Sequence, residues 1–357
     1  MFGGGDAKYT ERARPQIEKG LAIARQFDDR FEIAFGLQAL GNVFWRRHDY
    51  RQAITCYQES LKTFREVDDR FYTALVLFML GMSQSDVGDI DDFFACTEEC
   101  YALSQKEGNH YIAGHALNNL GMTALVLGNY DDAETYLRES LPIRLQLGDR
   151  LGTIWSIGNI SLVTFFKGDF EEAATYARHA IQIAAEINLV SGRAIPLLPL
   201  SWIASLEENY IEAQQLAEES YAIARNEDIT IMLGAAWGLA LAACGLGDYQ
   251  TAREHMKTAL EYAHPIRAWG FVTWYLPVAA VILAYEGEVE RAAELLGLAF
   301  TYPASATAWM EQWPLLTRLR ADLEDELGAE AYQVAWKRGE TLDLESVVTD
   351  WLAASAD

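Results

Sequence analysis

Apolar residues recur three and four positions apart along most of the chain, with polar residues between them. In the stretch NNLGMTALVLGNYDDAETYLRESLPIRLQLGDR, residues 118–150, two such runs flank the short segment GNY. This spacing places the apolar side chains on one face of a helix, whereas a strand would need strict alternation. The pattern therefore predicts two amphipathic helices joined by a tight turn.

The same two-helix pattern recurs about every 40 residues. Its first helix carries a small residue at equivalent positions, namely Gly41, Gly81, Gly121, Ser161, Ser201, Ala240 and Ala280. Its second helix carries another, namely Ser60, Cys100, Ser140, Ala180, Ser220, Ala259 and Ala299. Small residues let two antiparallel helices approach closely, and each pair can bury its apolar face only against its neighbours. The repeat predicts an all-α solenoid of stacked helix pairs.

This repeat resembles the tetratricopeptide family. The segment LGMTALVLGNYDDAETYLRESL carries that family's Leu-Gly, Gly-x-Tyr, alanine and small-residue positions in register. The resemblance implies a right-handed superhelical solenoid of antiparallel helix pairs, with units of roughly 40 residues instead of the roughly 34 usual in the family. Phe93 stands where the family has alanine, so we expect less regular packing in the second unit.

The repeat frame divides the chain into four parts. We expect residues 1–9, which begin MFGGGDA, to be disordered or left over from cloning. Residues 10–28 fit only the second helix of a partial repeat, and residues 29–302 comprise seven tetratricopeptide-like helix pairs. Residues 303–357 are expected to form a helical C-terminal cap. The missing first helix predicts that the chain was cut from a longer protein and leaves an apolar side open to self-association.

The C-terminal tail resembles the closing segment of signal-transduction ATPases with numerous domains (STAND) and of maltose-regulator-like LuxR-type regulators in bacteria. The positions that carry this likeness are Leu296, Gly297, Leu327, Gly328, Tyr332, Trp336, Gly339, Leu342, Leu344 and Glu345. The resemblance implies that the chain is the C-terminal sensor of such a protein, whose ligand relieves inhibition of an ATPase. The sequence contains no G-x-x-x-x-G-K-[ST] motif, so we expect this chain not to hydrolyse ATP.

Charge and composition narrow the function further. A formal net charge of −24 argues against nucleic acid and anionic membranes as partners, since both select clustered lysine and arginine. No apolar run approaches the ~18 residues of a membrane-spanning helix. Cys56, Cys96, Cys100 and Cys244 fit buried thiols in a reducing compartment, and no histidine completes a metal set. We expect a cytoplasmic, non-catalytic protein with no cofactor and no metal.

The tetratricopeptide resemblance also assigns the ligand-binding residues, because the first helix of each unit lines the concave surface in that family. The residues are Phe35, Gln38, Asn42, Trp45, Arg46, Phe78, Met82, His115, Asn118, Met122, Trp155, Phe165, Trp202, Trp237, Trp274 and Tyr285. Tryptophan provides a large contact area at low entropy cost. These positions contain no lysine, which disfavours a clamp for a terminal carboxylate. We expect this face to bind a protein or peptide.

Three alternatives stay open at this point. A sugar such as an oligosaccharide would stack on tryptophan while amides bind its hydroxyl groups. The array would also serve as a constitutive scaffold without a sensing role. In the third alternative, any single aromatic residue of the predicted concave surface packs against an adjacent helix as part of the hydrophobic core. Pro196, Pro199 and Pro277 fall in first helices and predict kinks or late helix starts there.

Overall fold

The structure is a computed structural model that describes residues 7–225, 229–265 and 267–354. These residues form nineteen α-helices and one 3-10 helix, Ser191–Arg193, and contain no strand, so the all-α prediction is confirmed. The α-helices are α1 Ala7–Gln26, α2 Arg30–Arg46, α3 Tyr50–Glu66, α4 Arg70–Asp86, α5 Ile90–Lys106, α6 His110–Val126, α7 Tyr130–Leu147, α8 Arg150–Phe166, α9 Phe170–Glu186, α10 Ala194–Leu206, α11 Tyr210–Ala224, α12 Ile229–Gly245, α13 Tyr249–Ala263, α14 Trp269–Tyr285, α15 Val289–Thr301, α16 Ala308–Gln312, α17 Pro314–Leu327, α18 Ala329–Gly339 and α19 Leu344–Ala354.

The chain forms two compact units, Met1–Thr123 and Ala124–Asp357. In the first unit, α1 to α5 pack consecutively as antiparallel neighbours, and in the second unit α7 to α15 do the same. Helix α1 begins at Ala7, within the range 1–9 that was expected to be disordered or left over from cloning. The rest of that expectation, for residues 1–6, lies outside the described residues.

Local chemistry sets the helix ends at regular intervals. A residue with a left-handed backbone conformation occurs every twenty positions from Asp28 to Glu208. Some of these residues are glycines, and others include His48 and Asn188. Aspartate side chains then cap the next helix by accepting a backbone N–H bond, at Asp29, Asp49, Asp69, Asp89, Asp149 and Asp248. A left-handed residue ends one helix and an aspartate cap starts the next, which together make a tight turn.

The small residues of the second helices do more than provide space. Ser60 Oγ donates to the carbonyl oxygen of Ala34 at 2.7 Å, and Ser220 Oγ donates to that of Ala194 at 2.8 Å. Cys100 Sγ makes the equivalent contact with the Ala74 carbonyl at 3.2 Å. Each bond joins the second helix of a pair to its first helix across 26 residues. The repeat pattern alone indicated only a spacer at these positions.

The three prolines expected to disturb first helices, Pro196, Pro199 and Pro277, lie in α10 and α14 and have different effects there. Helix α10 begins late, at Ala194, after a 3-10 turn, and its 13 residues compare with 17 in α8. Pro196 is its third residue, where the missing N–H is not needed for helical bonding. Pro277 lies inside α14, which runs without interruption from Trp269 to Tyr285.

Phe93 is buried, and α5 is as long as α3, so the second pair keeps regular helix bounds.

The C-terminal helices pack on the last repeats of the second unit. Helix α18 packs on α15, and α19 packs on α13. A Cβ atom at Gly297 would overlap the backbone of Trp336, and one at Gly339 would overlap the backbone of Glu294. The two glycines therefore allow α15 and α18 to approach with their backbones nearly touching.

Candidate functional site

Large aromatic rings are exposed near the start of the first helices in the first unit. Phe31 and Phe35 lie in α2, Phe71 lies in α4 and Tyr111 lies in α6. Their exposed fractions are 37%, 42%, 51% and 46%, respectively. Most apolar residues on the same helices are buried, including Leu37. Four large rings thus remain accessible on one set of helices.

Tyr72 connects the rings on α2 and α4. Its ring centroid lies 5.3 Å from that of Phe31, 5.8 Å from that of Phe35 and 5.3 Å from that of Phe71. All three contacts are edge-on, the arrangement that aromatic rings prefer. On its other side Tyr72 stacks on the buried ring of Phe64 at 5.0 Å. The exposed rings therefore contact the half-buried ring of Tyr72, which packs in turn on the buried ring of Phe64.

A second group of rings lies on α4 and α6. The imidazole of His115 lies 4.7 Å from the ring of Tyr111 and 5.6 Å from that of Phe78. Helix α4 carries members of both groups. We call the combined set the aromatic face, which consists of Phe31, Phe35, Phe71, Tyr72, Phe78 and Tyr111 together with the buried ring of His115.

Two polar residues of the predicted site are already bonded within the unit. The Asn42 Oδ1 atom accepts a hydrogen bond from Tyr57 OH at 2.7 Å, and Trp45 Nε1 donates to Asp86 Oδ2 at 2.8 Å. Burial raises the pKa of Tyr57 far above its ordinary value, so its hydroxyl stays protonated and remains a donor. Burial and the nearby Asp86 carboxylate raise the pKa of Tyr50 to about 12. These groups hold the helices in place.

The other predicted residues of the first unit differ in access. Gln38 and His115 are buried, with 6% and 9% exposure. Arg46 is exposed, and Met82 accepts a weak bond from Asn119 Nδ2 at 3.3 Å. The half-buried residues are Asn42, Trp45, Phe78, Met82, Asn118 and Met122. Seven of these nine residues are therefore at least partly accessible, whereas Gln38 and His115 are buried.

In the second unit, four of the residues that were predicted to lie on an accessible concave surface are buried, so the predicted accessibility is wrong for them. Phe165, Trp202 and Trp237 have no exposed surface, and Trp274 has 4%. The ring centroid of Trp202 lies 5.1 Å from that of Phe165 and 4.7 Å from that of Trp237, which lies 5.4 Å from that of Trp274. These side chains form a buried aromatic cluster, and their part in binding a ligand stays an untested prediction.

The remaining two predicted residues of the second unit lie outside this cluster. Trp155 is half-buried in α8. Tyr285, at the end of α14, is 69% exposed and its ring lies 4.1 Å from that of Tyr249. The structure therefore does not bring Tyr285 together with Trp202, Trp237 and Trp274.

Residues 302–313 cover the buried cluster. The ring of Trp309 lies 4.9 Å from that of Trp237, and both Trp309 and Trp313 are fully buried. The sequence pattern placed this stretch in a cap over the last repeat and gave no indication of its contacts with earlier repeats. The available signal was the segment AWMEQW, in which two tryptophans one helical turn apart follow Pro303 in an otherwise charged tail.

Three further features bear on chemistry. The four cysteines are free, and burial raises the pKa of Cys56 and of Cys96 to about 11. Across the described ranges, no cluster of three or more histidine, cysteine or acidic side chains is arranged to hold a metal ion. None of the helices described above is both long and apolar enough to cross a membrane.

Comparison with protein families identifies the repeats. The tetratricopeptide repeat model matches residues 32–106 and 112–186. These two stretches, which cover α2 to α5 and α6 to α9, are therefore tetratricopeptide repeats, as the sequence predicted. No curated protein matches the sequence.

Solved structures share the fold at low sequence identity. NprR in complex with its cognate peptide NprX is 14% identical, with a TM-score of 0.54 and 98% of each chain covered. Aspartyl phosphate phosphatase F from Bacillus subtilis is 12% identical, with a TM-score of 0.55, and 91% of this chain and 75% of that chain are covered. A STAND protein with a tetratricopeptide repeat sensor from Pyrococcus horikoshii is 15% identical, with a TM-score of 0.47, and 98% of this chain and 55% of that chain are covered.

Proposed function

We propose that this chain binds a peptide, or an apolar segment of a protein, through the aromatic face of the first unit. The observation that carries the proposal is the exposure of Phe31, Phe35, Phe71 and Tyr111 on three first helices. Clustered exposed apolar surface marks interaction sites, and aromatic side chains dominate the energy of such interfaces. The rings rest on buried neighbours, so a ligand would order few side chains on binding.

The chemistry of the face indicates what kind of segment fits. The aromatic face consists of rings, and two polar groups on the same helix α2 are already bonded, since the Trp45 N–H donates to Asp86 and the Asn42 carbonyl oxygen accepts from Tyr57. Such a surface suits the apolar side of an amphipathic helix or an extended peptide with large apolar residues. A net charge of −24 favours a neutral or basic ligand.

The fold likeness to peptide-bound NprR supports a peptide as the ligand class. The likeness extends to the fold alone, so the identity of that ligand does not transfer to this chain. The fold is also shared with a protein named as a phosphatase. We propose binding without catalysis here, because the aromatic face consists mainly of phenylalanine and tyrosine rings and its one imidazole, that of His115, is buried. No described feature favours a sugar or a purely structural role over a peptide.

We further propose that this binding module is the sensor part of a larger cytoplasmic signalling ATPase or transcriptional regulator. The support is the likeness of the C-terminal tail, from Leu296 to Glu345, to the closing segment of such proteins. The four free thiols fit a reducing cytoplasm. Sequencing the natural gene tests this role: a nucleotide-binding domain encoded ahead of these repeats is expected, and its absence from the gene would contradict the role.

The test of the binding proposal uses random peptides displayed on phage and selected on the immobilised native chain. The selected peptides are then synthesised, and their Kd is measured with the native chain and two variants. In Phe35→Ala/Phe71→Ala, truncation of two contact rings should raise Kd at least about tenfold, since interface aromatics contribute ~1 kcal/mol or more each. The matched control is Phe27→Ala, whose ring is 80% exposed in the turn before α2.

The control variant should bind the peptides with unchanged affinity. Because all three substituted rings are exposed, both variants should keep the helical circular dichroism and melting temperature of the native chain. Equal binding by the native chain and the double variant would remove the aromatic face from the proposal. A selection that enriches no peptide would contradict peptide binding itself.

A further inference from the structure

One continuous aromatic surface lines the first helices of the second unit. It consists of Phe166 from α8, Trp202 from α10, Trp237 from α12 and Trp274 from α14. Ring centroids lie 5.6 Å apart for Phe166 and Trp202, and 4.5 Å apart for Phe166 and Trp274. Four consecutive helix pairs therefore contribute to one surface. The contributing helices are the first helices of their pairs, as are α2, α4 and α6, which carry the exposed rings of the first unit. We call it the second-unit groove.

The chain itself occupies this groove. Residues 302–313, YPASATAWMEQW, run across it and are called the resident segment. Trp309 packs edge-on against Trp237 at 4.9 Å, and Trp313 follows one helical turn later at 6.1 Å from Trp309. Both tryptophans and Met310 are buried. The segment supplies large apolar side chains to the groove in the manner of a helical peptide ligand.

The turns between the helices contact the backbone and small residues of the resident segment. Tyr130 OH donates to the carbonyl oxygen of Ala304 at 3.0 Å. A Cβ atom at Gly128 would lie 2.7 Å from Ala304 Cα, and one at Gly168 would lie 3.1 Å from Ala308 Cβ. The two turn glycines thus let the turns approach Ala304 and Ala308 of the segment closely, and a side chain at either glycine would crowd the segment.

Several features distinguish the resident segment from the repeats around it. It leaves the last repeat at Thr301, contains only the five-residue helix α16 and ends at Pro314, the first residue of α17. Trp237 Nε1 and Trp309 Nε1 are buried and have no hydrogen-bond partner among the described residues. A buried N–H without a partner destabilises the arrangement that holds it. Detachment of the segment would expose both N–H groups to water and so relieve this cost.

We propose that the second-unit groove is a second peptide-binding site and that residues 302–313 are its resident ligand, bound in cis. The ligand class that fits is a peptide with small residues followed by two tryptophans one helical turn apart. An external peptide of this kind binds only when the resident segment leaves, so the segment competes with it. This site lies in the second unit and is independent of the function proposed for the first.

The direct test measures the binding of a fluorescently labelled peptide YPASATAWMEQW. The native chain is compared with an emptied chain that carries Trp309→Ala and Trp313→Ala. The emptied chain should bind the peptide at least about tenfold more tightly than the native chain, because its own segment no longer competes. A control peptide with both tryptophans replaced by alanine should not bind. Tyr130→Phe in the emptied chain should weaken binding, because it removes the hydroxyl that holds the Ala304 carbonyl.

An emptied chain that stays folded and does not bind the peptide would overturn the proposal, as would equal binding of both peptides. A second measurement covers the case in which the emptied chain fails to fold. The variant Ala306→Cys places a thiol in the resident segment at a position that is 3% exposed. The native Cys244 in α12, which is 1% exposed, is the internal reference. If the segment detaches, the introduced thiol should react with a thiol reagent at least about tenfold faster than Cys244. Equal rates would show that the segment is an integral part of the core.

Discussion

Arg144 is a charged side chain held in the interior of the second unit. It is 1% exposed, and its Nη1 atom lies 3.1 Å from Asp149 Oδ2 while Nε donates to Ser140 Oγ at 3.1 Å. The other oxygen of Asp149 accepts from the backbone N–H of Gly152 and so caps α8. Breaking a buried ion pair leaves an uncompensated charge, which costs much more than the intact pair contributes. This turn therefore depends on both partners.

Gly152 is the residue that leaves space for this pair. A Cβ atom there would overlap the guanidinium of Arg144 and the carboxylate of Asp149. We expect Gly152→Ala to lower the free energy of unfolding by about 2–3 kcal/mol, because the two charges must separate. Urea denaturation measures the loss. The double variant Arg144→Ala/Gly152→Ala should lose less than the sum of the single variants, and strictly additive losses would contradict this account.

At the scale of elements, the repeated glycine of the first helices has two different environments. A Cβ atom at Gly41 in α2 would lie 2.5 Å from Tyr57 Cε1, whereas one at Gly81 in α4 would lie 3.4 Å from the nearest atoms. The ring of Tyr57 in α3 packs directly over Gly41, so α2 and α3 are in close contact at that point. The same repeat position thus fixes the helix spacing in the first pair and not in the second.

This difference yields a matched pair of substitutions. Gly41→Ala should reduce the free energy of unfolding by about 1–3 kcal/mol, because the ring of Tyr57 or the helix must shift. Gly81→Ala should leave stability unchanged or raise it by up to ~1 kcal/mol, because alanine favours a helix and the contact is an ordinary one. Chemical denaturation of both variants measures the contrast. Equal losses would show that helix spacing does not depend on Gly41.

The helices themselves were predictable because their signals are local. Apolar periodicity, left-handed residues such as Asp28 and aspartate caps such as Asp29 all act within one turn of the helix end. The hydrogen bond from Ser60 to the Ala34 carbonyl was missed because it spans 26 residues and serine also serves as a spacer. Sequence patterns therefore indicate helices more readily than the bonds between them.

At the scale of the whole molecule, one family rule assigned both Phe35 and Trp202 to the binding surface, with opposite outcomes. Phe35 is 42% exposed, whereas Trp202 has no exposed surface. The ring of Trp202 packs against those of Phe166, Trp237 and Trp274 on neighbouring first helices, whereas Phe35 meets only Phe31 and Tyr72 among the ring contacts. Which rings of different repeats meet is a tertiary effect that periodicity does not encode. Within the first unit the same rule included Phe35 but missed the exposed rings of Phe31, Phe71 and Tyr111, so the candidate site was only partly predictable from the sequence.

The central claim is that peptides bind the aromatic face of the first unit. The most direct measurement places the photoreactive residue p-benzoylphenylalanine at position 71, and in a control chain at position 27, and irradiates each with a selected peptide. Phe71 and Phe27 are the same residue type and both are exposed. The account predicts that the peptide crosslinks from position 71 and not from position 27. Crosslinking from position 27 alone, or from neither position with a peptide that binds, would contradict it.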